Sequence, residues 1–187
     1  MARNVEIKAA VRDWAEVACR AEKLGTPAQQ LVQTDVYFRV PRGRLKLRIF
    51  GVDSASDLAE QPPAELIQYH RPDTTAPEVS RYQRVAVPDP AALRTALAAA
   101  LGERVVVEKQ RTLHLVGRTR IHLDQVAGLG NFMELEVVLR EGEDQAAGEE
   151  EASSLMRALG VHASDLIEAG YADLLEAAAD GACTTST

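Results

Sequence analysis

Charged side chains return in alternating register along at least five separate stretches of this chain. The pattern runs through Glu6 and Lys8, Lys46 and Arg48, Glu65 and Arg71, and Lys109 and Arg111. It is densest from Arg118 to Glu136, which reads as two strands around a Gly128-Leu129-Gly130 turn. Successive strand side chains point to opposite faces. Arg118, Arg120, His122 and Asp124 therefore share one face of the first strand, against Thr119, Ile121 and Leu123. Glu134 and Glu136 share a face of the second, against Leu135, Val137 and Leu139. A chain built this way must fold into a sheet with one charged face and one apolar face. Bases beside a carboxylate pair suit phosphate and a divalent metal.

The remaining segments fit the same plan. Residues 3–11, 31–40, 44–50, 64–71, 79–87 and 104–116 read as further strands, giving roughly eight with the hairpin. Asp13 reads as an N-cap with Glu16 completing a capping box, and Gly25 stops that helix. Asp89 and Pro90 open a second helix that ends at Gly102. Residues 143–159 form a third, broken by Gly160, and Ser164 caps a fourth containing Leu166, Ile167, Tyr171, Leu174 and Leu175. The expected domain is residues 1–177, with 178–187 a disordered tail. Short connections favour antiparallel pairing and a closed barrel.

Charged strand faces usually meet solvent while the apolar faces make the core. Here the amphipathic helices also need an apolar sheet face to cover. If they sit outside, the charged faces line the interior. An interior full of Lys and Arg repels itself unless anions and metal occupy it. A tunnel for a polyphosphate meets that demand, with Arg giving bidentate contacts and Lys a compact charge. The formal charge of −7 conceals a division. Residues from 141 onward hold eleven acids and only Arg157 as a base, so residues 1–140 are mildly basic. Overall acidity argues against a general nucleic-acid binder but leaves room for a small anion in the body.

No apolar run approaches the roughly 18 residues of a membrane span, so no membrane partner is expected. The N-terminus enters a strand without a secretory apolar region. Cys19 and Cys183 are not expected to pair, and a reduced cytoplasm is the expected setting. His70, His114, His122 and His162 lack zinc-ligand spacing.

Taken together, Asn4-Val-Glu-Ile-Lys8, Gly43-Arg-Leu-Lys-Leu-Arg48, Tyr69-His-Arg-Pro-Asp73, Lys109-Gln-Arg111 and Arg118 through Glu136 resemble the CYTH superfamily of triphosphate tunnel metalloenzymes, over about residues 3–160. The likeness is to its class IV adenylyl cyclase-like branch. It implies an α+β fold: a closed antiparallel β-barrel of roughly eight strands with helices packed outside. It implies Glu6, Glu134 and Glu136 as ligands of Mg²⁺ or Mn²⁺. Lys8, Lys46, Arg48, Arg71, Lys109, Arg111, Arg118 and Arg120 become the expected phosphate-binding bases. Lys8, Arg120 and Asp124 are the residues expected in catalysis, and Glu65 is a further acidic tunnel position.

The chain departs from the family's Glu-x-Glu-x-Lys opening, because Asn4 replaces the first Glu. An amide oxygen ligates a metal but brings no charge. Glu78 also stands where a base is expected, with Arg81 as partial compensation. The expected activity is metal-dependent conversion of ATP to cyclic AMP and pyrophosphate. The alternatives are hydrolysis of thiamine triphosphate or inorganic tripolyphosphate, turnover of another phosphorylated metabolite, and binding of a polyphosphate or nucleotide without turnover. A homodimer is the assembly that kinship suggests.

Overall fold

A computed structural model of the chain describes residues 2–51, 63–70 and 78–183. These residues form eight strands: β1 (Ala2–Ala10), β2 (Gln29–Phe38), β3 (Arg44–Phe50), β4 (Ala64–His70), β5 (Glu78–Val87), β6 (Glu103–Val116), β7 (Thr119–Val126) and β8 (Gly130–Val138). Every ladder is antiparallel. The order β1-β5-β4-β3-β2-β6-β7-β8 returns to β1, so the sheet curls into a barrel. Closure is uneven. The β1–β5 seam pairs five residues, against ten between β2 and β6.

Among the described residues four helices complete the fold: α1 (Trp14–Leu24), α2 (Pro90–Leu101), α3 (Gln145–Leu159) and α4 (Tyr171–Cys183). The caps are local and sequence-encoded. Asp13 accepts a hydrogen bond from the Glu16 amide, Asp89 from Ala92 and Asp144 from Ala146. Glu16 does not complete the expected capping box as its main contact; its carboxylate pairs with Arg20 one turn on. Gly160 ends α3 in the left-handed region at φ 75°, which glycine adopts without a Cβ penalty.

The core lies outside the barrel wall. Val5 and Ile7 of β1, Ile121 and Leu123 of β7 and Met133 and Leu135 of β8 pack beneath Val17 and Ala21 of α1 and Ala152 and Leu159 of α3. On the other side Val36, Phe38 and Leu47 are covered by Leu93, Leu97 and Leu101 of α2. The apolar face of the alternating pattern is thus the buried one, and helices cover it. Gly148 lets α3 come close: a Cβ there would lie 2.7 Å from Leu139 and 2.9 Å from Val5.

The C-terminal part departs from its sequence pattern. Where one helix is expected from Ser164, the chain makes a single 3-10 turn at Ala163–Asp165. It then runs extended, with Leu166 bridged to Ala9 and the Ile167 amide bonded to the Lys8 carbonyl. Bonding to the end of β1 competes successfully with helix formation here. Beyond Gly170 the helix resumes as α4 and continues to Cys183, past the expected start of the tail at 178. Its Ala177-Ala178-Ala179 run has the strongest intrinsic helix preference.

Candidate functional site

The charged faces point into the barrel and surround a cavity of about 270 Å³. Lys8, Lys46, Arg48, Lys109, Arg111 and Arg120 all line it, as do Glu6, Glu65, Glu134, Glu136 and Asn4. Strand register explains the convergence. Glu6 stands opposite Glu136 and Lys8 opposite Glu134 across β1–β8. Across β7–β8, Arg120 faces Glu136 and His122 faces Glu134.

Two of the expected residues lie elsewhere. Arg118 precedes β7, so strand alternation does not govern it; its guanidinium bonds Glu143 and Glu151 of the α3 region. It does not line the cavity. Asp124 is fully buried beneath Arg111 rather than at the cavity surface. Arg71 falls outside the described residues, as do the side chains of Glu78 and Arg81.

The interior bases have more internal counter-charge than the sequence suggests. Asp35, 1% exposed, accepts from Arg48 at 2.7 and 2.8 Å and from Lys46 at 2.8 Å. Asp124 accepts from Arg111 at 2.6 and 2.5 Å, and Glu134 accepts from the same guanidinium at 2.6 Å. Lys8 Nζ lies 3.3 Å from Glu134, and Lys109 Nζ lies 3.6 Å from Asp124 and 3.9 Å from Asp35. Self-repulsion is therefore relieved by carboxylates before any ligand enters. Among the described residues, the eight bases that line the cavity have six carboxylates, four in the lining and Asp35 and Asp124 behind it.

These contacts set the protonation states. Burial opposes ionisation of Asp35, but Arg48, Lys46 and Lys109 hold its pKa well below the usual range. Asp124 is likewise desolvated, and Arg111 and Lys109 bring it down to about 2. Glu134 is held low by Lys8 and Arg111 against its burial. Lys109 goes the other way: burial, then the neighbouring Arg111, lowers it to about 7 despite the two aspartates. Burial and Arg111 also lower His122, favouring the neutral ring.

The oxygen donors Glu6 and Glu136 suit a hard cation. Asn4 Oδ1 is buried without a hydrogen-bond partner, as is His122 Nδ1. The latter lies 3.8 Å from Glu134 and 3.9 Å from Glu136. No group of three or more His, Cys, Asp or Glu among the described residues forms a ready-made metal cage. Mg²⁺ usually needs one or two carboxylates plus substrate phosphates and water. The residues present fit that mode, and the unpartnered Asn4 oxygen is available to it.

Asp35, behind the cavity wall, and three tyrosines that line the cavity were not among the expected site residues. Asp35 and Tyr37 alternate with Arg39, which stands just past the end of β2 and does not line the main cavity. Tyr37 and Tyr69 line the cavity with their hydroxyls 3.4 Å apart and Lys46 Nζ 5.4 and 5.5 Å from the ring centres. Tyr171 reads as an apolar helix position, yet it enters one barrel mouth at the start of α4. Its hydroxyl donates to Asp124 at 2.9 Å.

No curated protein matches the chain by sequence. Solved structures do share the fold. The PH1819 protein of Pyrococcus horikoshii superposes with a TM-score of 0.75 at 21% identity, covering 92% of this chain and 97% of that one. A candidate adenylate cyclase of Vibrio parahaemolyticus gives 0.72 at 16% identity, covering 92% and 97%. A candidate adenylyl cyclase of Hippeastrum, described as having a dominant triphosphatase activity, gives 0.58 at 14%, covering 91% of each. The CYTH domain family model matches residues 2–171. With its ring of antiparallel strands around a cavity lined by paired bases and carboxylates, the chain belongs to the CYTH domain family.

Proposed function

We propose that this protein is a metal-dependent enzyme acting on a nucleoside triphosphate in the barrel, converting ATP to cyclic AMP and pyrophosphate. The observation that carries the reading is the convergence of Lys46, Arg48, Lys109 and Arg111 on one cavity that also presents Glu6 and Glu136. The cationic surplus is partial, because Asp35, Asp124 and Glu134 already offset much of it. A triphosphate carrying a divalent cation suits that surplus better than a bare polyanion.

In this reading Arg48 and Arg111, held by bidentate pairs to Asp35 and Asp124, are pre-oriented to bind phosphate oxygens. Lys46 and Lys109 add point charge, and Lys109 takes up a proton as phosphate approaches. Arg120, 3.3 Å from Glu136, bridges the phosphate site and the carboxylates. A bound Mg²⁺ or Mn²⁺, held by Glu6 and Glu136 with the Asn4 oxygen, would supply Lewis-acid polarisation of a phosphoryl oxygen. Fixed donors around developing charge account for much of the acceleration in such sites. The ribose 3′-hydroxyl attacks the α-phosphorus and pyrophosphate leaves.

The second reading is triphosphate hydrolysis, which needs the same cavity with water as the nucleophile. The activity described for the Hippeastrum neighbour favours it. Phosphorus NMR decides between them, with Mg²⁺ or Mn²⁺ and ATP, tripolyphosphate and thiamine triphosphate supplied in turn. Cyclic AMP with pyrophosphate supports the first reading, and orthophosphate release the second. No turnover of any of the three overturns both.

A further inference from the structure

Tyr171 occupies a place that the surrounding cations would otherwise offer to an anion. Its ring centre lies 4.0 Å from Lys8 Nζ and 5.1 Å from Lys109 Nζ. Lys8 Nζ also donates to the Ala169 carbonyl at 3.3 Å. Below the ring, the hydroxyl is fixed on Asp124, and Phe132 packs edge-on at 5.1 Å. Outside the mouth, Asp173 pairs with Arg44 at 3.0 Å and with Arg104, which Glu176 also grips at 2.9 Å. The segment is therefore anchored on both sides of the ring. Tyr171 is 4% exposed, so this is a seat and not a surface contact.

An aromatic face carries a negative quadrupole. It attracts the two ammonium groups and opposes a phosphate arriving at the same point. From this we infer that Tyr171 is a specificity-determining residue: it is a fixed stop that limits how many phosphates the tunnel accepts. The inference rests on the anion-binding reading given above. Arg44, whose partner Asp173 follows Tyr171 in α4, is shared between the main cavity and a second, smaller one that Arg39 and Arg104 also line. Removing the ring lets a longer polyphosphate continue towards those arginines.

The test is calorimetric titration of the full chain with pyrophosphate, tripolyphosphate and tetrapolyphosphate, in chelator so that nothing is consumed, and again with Ca²⁺. In the unmodified protein, affinity should stop rising with chain length. Tyr171→Ala should extend the rise by one phosphate, with a gain of about tenfold for the longer chain, as one added charge-assisted contact would give. Tyr171→Phe keeps the ring and should keep the original profile, although Asp124 loses a donor. Identical profiles for the unmodified protein and Tyr171→Ala overturn the stop. Should Tyr171→Ala not fold, hydrogen exchange in the unmodified protein decides. Amides of α4 should stay protected when tripolyphosphate saturates the site, and loss of protection on binding would mean that Tyr171 leaves its seat. If no polyphosphate binds to either protein under either condition, the anion-binding reading fails and the stop fails with it. Binding that follows one profile regardless of Tyr171 leaves that reading standing and removes only the stop.

Discussion

Arg111 and Asp124 face each other across the β6–β7 ladder and form a bidentate ion pair, at 2.6 and 2.5 Å, that is sealed from solvent. Arg111 also reaches Glu134 on β8, and Asp124 also receives the Tyr171 hydroxyl. One pair thus ties four elements together, β6, β7, β8 and α4, at the floor of the cavity. Buried pairs of this kind gain little over an apolar replacement, but breaking one leaves a costly unpaired charge.

Asp124→Asn should therefore destabilise the fold by about 3–5 kcal/mol. Arg111 would keep Glu134, but Lys109 would lose its nearest carboxylate. Urea denaturation of the variant checks this. A loss below about 1 kcal/mol would show that the remaining carboxylates suffice.

Lys109 gives the pH dependence. Its folded pKa is lowered from 10.5 to about 7, by burial first and Arg111 second. Between those values the unfolded chain binds more protons, so Lys109 adds to stability as pH rises through this window. Anion binding runs the opposite way, because phosphate favours the charged ammonium. At about pH 8, tripolyphosphate binding should take up close to one proton, and affinity should fall as pH rises above about 7. Calorimetry in buffers of different ionisation enthalpy measures the uptake. Lys109→Gln should abolish it, and an unchanged uptake would assign the proton to another group.

Glu136→Gln should leave the fold nearly intact, since its contact with Arg120 is long at 3.3 Å. Metal-dependent turnover should drop by more than about 100-fold, the upper range for losing even an outer-shell partner of a metal ligand. A parallel metal titration should show weaker activation by Mn²⁺. Full activity at ordinary metal concentration would remove Glu136 from the ligand set.

Arg118→Ala separates the tunnel bases from a look-alike. Its partners Glu143 and Glu151 lie on the outer surface of the fold, and such ion pairs contribute little. The variant should show a small fall in Tm, with tripolyphosphate affinity within about twofold of the original. Arg111→Gln in the same assay should lose anion binding, so the two arginines should behave differently despite their shared sequence pattern.

Gly148→Ala tests the docking of α3 on β1. The added methyl would meet Leu139 and Val5, both buried, at distances that require movement. A cost of about 1–3 kcal/mol is expected from overpacking, even though alanine is the better helix former. A gain in Tm would mean that this contact yields readily.

Alternation alone determined much of this protein. It placed Glu6, Lys8, Lys46, Arg48, Lys109, Arg111, Glu134 and Glu136 on inward faces, because a strand has only two sides and the helices needed the apolar one. Caps at Asp13, Asp89 and Asp144, and the stop at Gly160, were local as well, since they depend on residues a few positions apart. Tertiary structure decided the rest. Arg118 left the pattern because it stands just outside the strand, where acidic groups near α3 capture it. Asp35 became a counter-ion because the register of β2 with β3 and β6 brings three cations to it. Tyr171 entered the barrel because the segment after Ala163 bonds to the end of β1 instead of staying helical. Each of these outcomes depends on partners far away in sequence, and periodicity reports only on neighbours.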